Sequence, residues 1–308
     1  MKGEYMSNTV LECHKIWKKI GHHVIVNELS LKLNEGDILG FIGPNGAGKT
    51  TSIKLMLGLQ TLNGGTVKIN GYDLKKEFVS AISNVGAIVE NPDLYMYLSG
   101  YDNLKIIASM YRLPESRIKE VAKIVGLEEK IHEKVKKYSL GMRQRLGIAQ
   151  AIIHQPKVLI LDEPMNGLDP EGIKELKVLL KHLAQKEKMA ILISSHLLGE
   201  IENFCNRICI ICSGKIIKDD SIENIKQLTD QNNYILEVSQ TELNDILYHY
   251  EIIDEQHIKV TSTKESIQNV IKTLLLNEIS IFELKKEVLT LENIFLKITK
   301  EDKHDQTN

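Results

Sequence analysis

The stretch Gly43-Pro44-Asn45-Gly46-Ala47-Gly48-Lys49-Thr50-Thr51 lies between the apolar run ILGFI and the helical pattern KTTSIKLMLGL. It fits G-x-x-x-x-G-K-[ST], a loop that cradles phosphate between a strand and a helix. The ligand explains the residue types. Phosphate oxygens need several N–H donors converging on one point. Glycine lets the backbone approach closely and turn sharply, and the following helix N-terminus adds a favourable dipole. Lys49 supplies a mobile positive charge for the outer phosphates, and the Thr50 hydroxyl can take one position around Mg2+. A chance glycine-rich turn would not need to fall between the strand and helix that this chemistry requires.

Residues 158–163 read Val-Leu-Ile-Leu-Asp-Glu. An apolar strand ending in an acid places a carboxylate at the carboxyl end of a parallel sheet, where such sheets bind ligands. Asp162 is expected to hold the Mg2+ shell. Glu163 follows at once and can polarise an attacking water. Two acids after a strand are a weak signal alone and a strong one downstream of a phosphate cradle. The second carboxylate argues for hydrolysis over phosphate transfer, because a kinase must exclude water.

Elements of the right kind surround these residues. GDILGFIG, KTTSIKLMLGL, KVLILDEP, GIKELKVLLKHLAQ and MAILISSH alternate strand and helix patterns. Ile-, Leu- and Val-rich strands between helices predict an α/β layer with a mainly parallel sheet. LECHKIW, SLKLNEG and GTVKINGYDL predict antiparallel strands joined by glycine or asparagine turns. After residue 220, YILEVSQ, HIKVTST and ISIFELKKE read as strands. LNDILYHY, KESIQNVIKTLLLNE and TLENIFLKITK read as helices. A small second α+β domain is expected there.

The 308 residues suit about two domains. Hydrophobic residues make up 43% and charged residues 26%, ordinary values for a globular protein. A net charge of −2 gives no reason to expect a nucleic-acid partner. No run of about 18 apolar residues predicts a membrane span, and MKGEYMSNTVLECHKIW lacks the long apolar stretch of a signal peptide. A cytosolic chain is therefore expected, docking on another polypeptide if it works at a membrane. Cys209 and Cys212 fit CxxC, but they lie in the strand pattern RICIICSGKII. Alternation turns them to opposite faces, and no second ligand pair is spaced for zinc. Buried reduced thiols are expected.

Tyr138-Ser139-Leu140-Gly141-Met142, followed by RQRLGIAQA, resembles the signature motif of ABC ATPases, usually LSGGQ. The resemblance implies that Ser139 and Gly141 bind the γ-phosphate held by a second copy, so that two ATP molecules are sandwiched head to tail. Tyr138, Leu140 and Met142 depart from the motif, which implies altered dimer contacts. Asn166-Gly167-Leu168-Asp169 resembles the D-loop, with Asp169 linking the two sites across the dimer. His196, ending ILISSH, resembles the switch histidine that touches the γ-phosphate. These matches span about residues 10–220.

Two positions depart from the family pattern. Ile20 falls where an aromatic ring normally stacks on adenine; Trp17 is the alternative three residues earlier. A lost stack is expected to weaken ATP binding modestly, since base–aromatic stacking is worth about 1–3 kcal/mol. Glu90 falls where most members have the Q-loop glutamine that touches Mg2+ beside the membrane partner. Glutamate here resembles the subgroup that protects Gram-positive bacteria from lantibiotics and bacitracin. The segment 91–103, YSLGMRQRLGIA and the ending LTLENIFLKI resemble the same subgroup.

The resemblance implies an ATP-hydrolysing P-loop domain over 1–225, with an antiparallel β subdomain and a helical subdomain at about 91–155. An accessory α+β domain over 226–300 and a frayed tail over 301–308 would follow. It implies Mg2+ as cofactor, an integral membrane permease as partner, and a place on the cytoplasmic face of the membrane. Another drug, a lipid or a polysaccharide is the rival cargo. A non-transport ABC ATPase would usually show coiled coils, paired ATPase units or a strongly basic surface.

Overall fold

A computed structural model describes residues 8–196, 198–201, 204–227, 233–243, 246–247, 249–263 and 265–286. Chain contacts divide it into two compact units, Met1–Ile222 and Glu223–Asn308.

In chain order the first unit opens with β1 (Thr9–Ile20), β2 (His23–Asn34), β3 (Ile38–Ile42) and α1 (Lys49–Met56). β4 (Gly64–Ile69), β5 (Tyr72–Asp73), α2 (Phe78–Ile82) and β6 (Val85–Ile88) follow. Three helices come next: α3 (Gly100–Met110), α4 (Glu115–Ile124) and α5 (Leu140–Ile152). The unit then alternates β7 (Val158–Asp162), α6 (Pro170–Lys186), β8 (Ala190–Ser195), α7 (Leu198–Ile201), β9 (Arg207–Cys212) and β10 (Lys215–Ser221).

These strands form two sheets. One is antiparallel, in the order β2-β1-β4-β5. The other runs β10-β9-β3-β8-β7-β6 and is parallel except at its β9–β10 edge. This mixed α/β architecture is the one the sequence patterns predict. The buried strands explain why they read as unbroken apolar runs, since both faces of a parallel sheet are covered. Leu39, Phe41, Val158, Ile160, Leu192 and Ile211 point into one core with Leu11, Ile16 and Leu31 of the antiparallel sheet. Cys209 joins this core and Cys212 does not. All four cysteines are buried and free. Burial pushes the Cys209 thiol well above the usual thiol range, and both Cys209 and Cys212 are buried and free, so the CxxC spacing reflects packing.

Local rules place the helices. Ser99 caps α3 in a reciprocal box with Asp102. Asp169 caps α6 by accepting from the Gly172 N–H at 2.9 Å, with Pro170 opening the helix. Tyr138 is buried, and its hydroxyl donates to the Lys130 carbonyl at 2.7 Å. The departure from the usual leucine therefore serves packing among the helices rather than an outer surface. Leu140 is exposed instead.

The second unit begins within α8 (Ile222–Gln227) and contains β11 (Asn233–Val238), β12 (Glu251–Ile252), β13 (His257–Thr261), α9 (Ser266–Leu276) and β14 (Ile281–Lys286). Its antiparallel sheet has the order β12-β13-β11-β14. Leu236, Ile258, Val260, Ile267 and Leu274 form its core. This order is that of a split βαβ unit. β12 was not legible, because it has two exposed residues. In LNDILYHY, Ile246 and Leu247 both donate to the Leu243 carbonyl at 2.8 Å. No helix is assigned among the described residues there; Asn244, Asp245 and Tyr248 lie outside them. The helix expected over TLENIFLKITK and the tail at 301–308 also lie outside the described residues.

Candidate nucleotide site

β3, β7 and β8 are parallel neighbours, so their carboxyl ends meet on one edge of the sheet. β3 delivers the loop 43–48, β7 delivers Asp162 and Glu163, and β8 delivers His196. Sequence positions far apart thus converge. A cavity of about 470 Å3 lies there, lined in part by Pro44, Gly46, Lys49, Thr50, Glu163 and His196.

The loop is shaped by its backing. A Cβ on Gly43 would stand 2.4 Å from the Ile211 carbonyl oxygen, so only glycine lets the loop pass β9. Gly48 caps α1 at φ +102°, and a Cβ there would meet the Ile25 carbonyl at 2.7 Å. The Gly214 N–H donates to the Ala47 carbonyl at 2.9 Å and pins the loop from behind. Pro44, Asn45 and Gly46 stay exposed, while Ala47, Gly48 and Lys49 are buried. Gly43→Ala is expected to cost about 1–3 kcal/mol, because a packed backbone must shift. A lower thermal midpoint, read without nucleotide, checks this.

Polar groups around the cavity form one connected set. Lys49 Nζ donates to the Gly43 carbonyl at 2.8 Å and lies 3.4 Å from Glu163 Oε1. Thr50 Oγ1 donates to Asp162 Oδ2 at 2.8 Å. Ser194 Oγ donates to Asp162 Oδ1 and accepts from the Glu163 N–H at 2.8 Å. His196 Nδ1 stands 2.8 Å from Glu163 Oε2. Glu163 has φ +51°, a conformation that side chains rarely adopt. Such a residue costs about 1–3 kcal/mol and persists where its surroundings hold it. Here the Ser194 hydroxyl holds the kink that aims the carboxylate into the cavity.

Ser194 was missed in the sequence, although a serine in the buried run ILISS was a usable signal. Ser194→Ala would leave the Glu163 N–H and one Asp162 oxygen without this partner. A loss of about 1–3 kcal/mol is expected, checked by denaturant unfolding of the full chain.

Several expected residues lie elsewhere. Ile20 is 48% exposed at the end of β1 and does not line the cavity. Trp17 does not line it either; its indole covers Gly64. Ile25 of β2 is the apolar residue at that wall, and nothing in its apolar type distinguished it. Glu90 does not line the cavity. At φ +70° after β6, it pairs with Lys54 at 3.1 Å. Asp169 is occupied as the α6 cap, while Asn166 of the same loop lines the cavity. Ser139 caps α5, accepting from the Met142 N–H at 3.2 Å. Gly141 sits in the first turn of α5, and a Cβ there would meet nothing nearer than 3.9 Å. Its own chain therefore does not require glycine at that position.

A parallel sheet whose carboxyl edge carries a glycine loop, a lysine and paired acids defines a P-loop nucleotide-binding protein. Comparison with known proteins narrows the class. Residues 26–166 match the family described as ABC transporter. An ABC transporter ATP-binding protein of Bacillus subtilis (strain 168), YhcH, is 45% identical over 302 residues, covering 96% of this chain and 98% of that one. The bacitracin transport ATP-binding protein BcrA of Bacillus licheniformis is 36% identical, covering 94% and 97%. The lantibiotic transport ATP-binding protein SrtF of Streptococcus pyogenes is 40% identical over 230 residues, 74% of this chain and 98% of that one. A solved ATP binding subunit of an ABC transporter superposes with a TM-score of 0.63 at 28% identity, covering 71% and 93%. The chain belongs to the ATP-binding proteins of the ABC transporters and is an ATPase of that family.

Proposed function

We propose that the chain hydrolyses ATP to drive a peptide antibiotic of the bacitracin or lantibiotic kind out of the cell or its membrane, through a separate permease. It would work from the cytoplasmic face, consistent with no helix among the described residues being long and apolar enough to cross a membrane. The observation that carries the hydrolytic reading is the set Lys49, Thr50, Glu163 and His196 around one cavity, with buried Asp162 bonded to Thr50 behind it.

In this reading the loop 43–51 binds the phosphates by its N–H groups. Lys49 leaves Glu163 for the β- and γ-oxygens. Glu163 then orients water and takes its proton, and His196 stabilises the terminal phosphate. Ile25 would meet the base by apolar packing, and Ile20, which does not line this cavity, would do so only where the base extends past it. The Thr50 hydroxyl and Asp162 carboxylate are hard oxygen donors 2.8 Å apart, a pair that fits Mg2+. When bound there, the ion would neutralise charge on the transferring phosphate. Glu90 would join this site only by releasing Lys54.

Ser139 and Gly141 would serve the nucleotide of a second copy. Two facts support that: they do not line their own chain's cavity, and the Gly141 site has space that its own fold does not use. Asp169 would steady this contact through α6. The segment after Glu90 borders a groove of about 700 Å3, lined in part by Ile88, Pro92, Tyr95, Tyr111 and His154. The permease would seat a segment there, so that closure of the dimer moves it.

The cargo reading rests on kinship. BcrA matches over 301 residues and so through both units. SrtF matches over 230, about the length of the first. This favours bacitracin within the pair. The test is survival of a sensitive Gram-positive host that carries the gene with its adjacent membrane-protein genes, against a panel of both peptide classes. Protection lost with Glu163→Gln supports the proposal. No protection, with both proteins expressed, removes the cargo and leaves the ATPase.

A further inference from the structure

β14 is an edge strand of the second unit. One side pairs with β11, from Tyr234↔Lys286 to Val238↔Ile281. Among the described residues, no strand pairs with its other side. Sheet edges are normally blunted, because their open N–H and C=O groups template further pairing. This edge carries Glu283, Lys285 and Lys286 and also presents exposed apolar residues. Phe282 is 66% exposed and Leu284 is 41% exposed, although Leu284 sits opposite the fully buried Leu236. The other face carries Glu283 and Lys285, 2.6 Å apart.

Within Phe282-Glu283-Leu284-Lys285-Lys286, one register alone sets opposite charges across from each other. Two copies of a strand pairing antiparallel about a two-fold axis must centre on a residue, or their side chains face opposite sides of the sheet. Centring on Glu283 opposes two glutamates, and centring on Lys285 opposes two lysines. Centring on Leu284 sets Leu284 against its counterpart. Each Glu283 then faces the other copy's Lys285, and each Phe282 covers the stem of the other copy's Lys286. Opposite charges directly across a sheet stabilise it, and like charges oppose it.

We propose that β14 pairs with β14 of a second copy in this register. The two second units would then share one eight-stranded sheet, and the copies would stay associated without nucleotide. The contact is isologous and lies outside the ATP site, so it does not depend on how Ser139 and Gly141 act.

Two experiments on the nucleotide-free full chain test this. Sedimentation should show a reversible dimer. Glu283→Lys and Lys285→Glu should each weaken it about tenfold, since each sets two like-charge pairs across the axis. The double variant restores opposite charges and should restore the dimer. Leu284→Cys should form a disulfide dimer under mild oxidation. Phe282→Cys should not, because its counterpart lies about 13 Å along the strands. The buried native cysteines leave the introduced thiol as the reactive one. A wild-type chain that stays monomeric at all concentrations, a double variant as weak as the singles, or equal cross-linking at 282 and 284 would overturn the proposal.

Discussion

Glu163→Gln is expected to bind ATP normally, pair in its presence, and hydrolyse it about 10²–10⁴-fold more slowly, the usual worth of a positioned general base. Glutamine keeps the size and the hydrogen-bonding reach of the side chain. It should therefore still meet His196 and hold the cavity's shape. It loses the negative charge that draws Lys49 to within 3.4 Å and the basicity that takes a proton from water. Binding and turnover should separate for that reason. Nucleotide titration and phosphate release on one preparation give both numbers. Normal turnover would remove Glu163 from the chemistry and leave His196 as the remaining base at that end of the cavity.

Lys49→Ala is expected to lower ATP affinity about 10- to 100-fold, the worth of one or two charge-assisted hydrogen bonds. The lysine is buried, held by the Gly43 carbonyl and facing Glu163. Among the described residues, its removal takes out the one lysine or arginine lining the phosphate cavity. Equilibrium titration with a fluorescent nucleotide reads the loss, and a thermal scan without nucleotide separates it from unfolding. Unchanged affinity would mean that the backbone N–H groups alone hold the phosphates.

The two variants bracket what could be read in the sequence. The cradle was legible because its donors come from one continuous stretch, and the glycines announce where backbone must approach backbone. Asp162 and Glu163 were legible because a strand pattern ran into them. Ser194 was harder, since its partners come from a neighbouring strand and pairing across strands leaves no local trace. Ile25 was hidden for the same reason: an isoleucine lining a cavity reads like one in a core. Ile20 and Glu90 were found by position along the family pattern. Position alone did not say that one side chain would be half exposed on β1 and the other paired with Lys54. Asp169 had a cap to make, and Asp-Pro before a helical run was the sign of it. In the second unit the longer strands and α9 followed from alternation and helical period. β12, with two exposed residues, had no period to show.

ATP hydrolysis and the peptide cargo meet in one measurement where both are present. The chain would be assembled with its permease in membrane vesicles, and phosphate release followed while bacitracin or a lantibiotic is added. A saturable rise in rate is expected with one of these peptides, and no rise with Glu163→Gln. A rate indifferent to every such peptide, yet raised by a drug, lipid or polysaccharide, would contradict the peptide cargo.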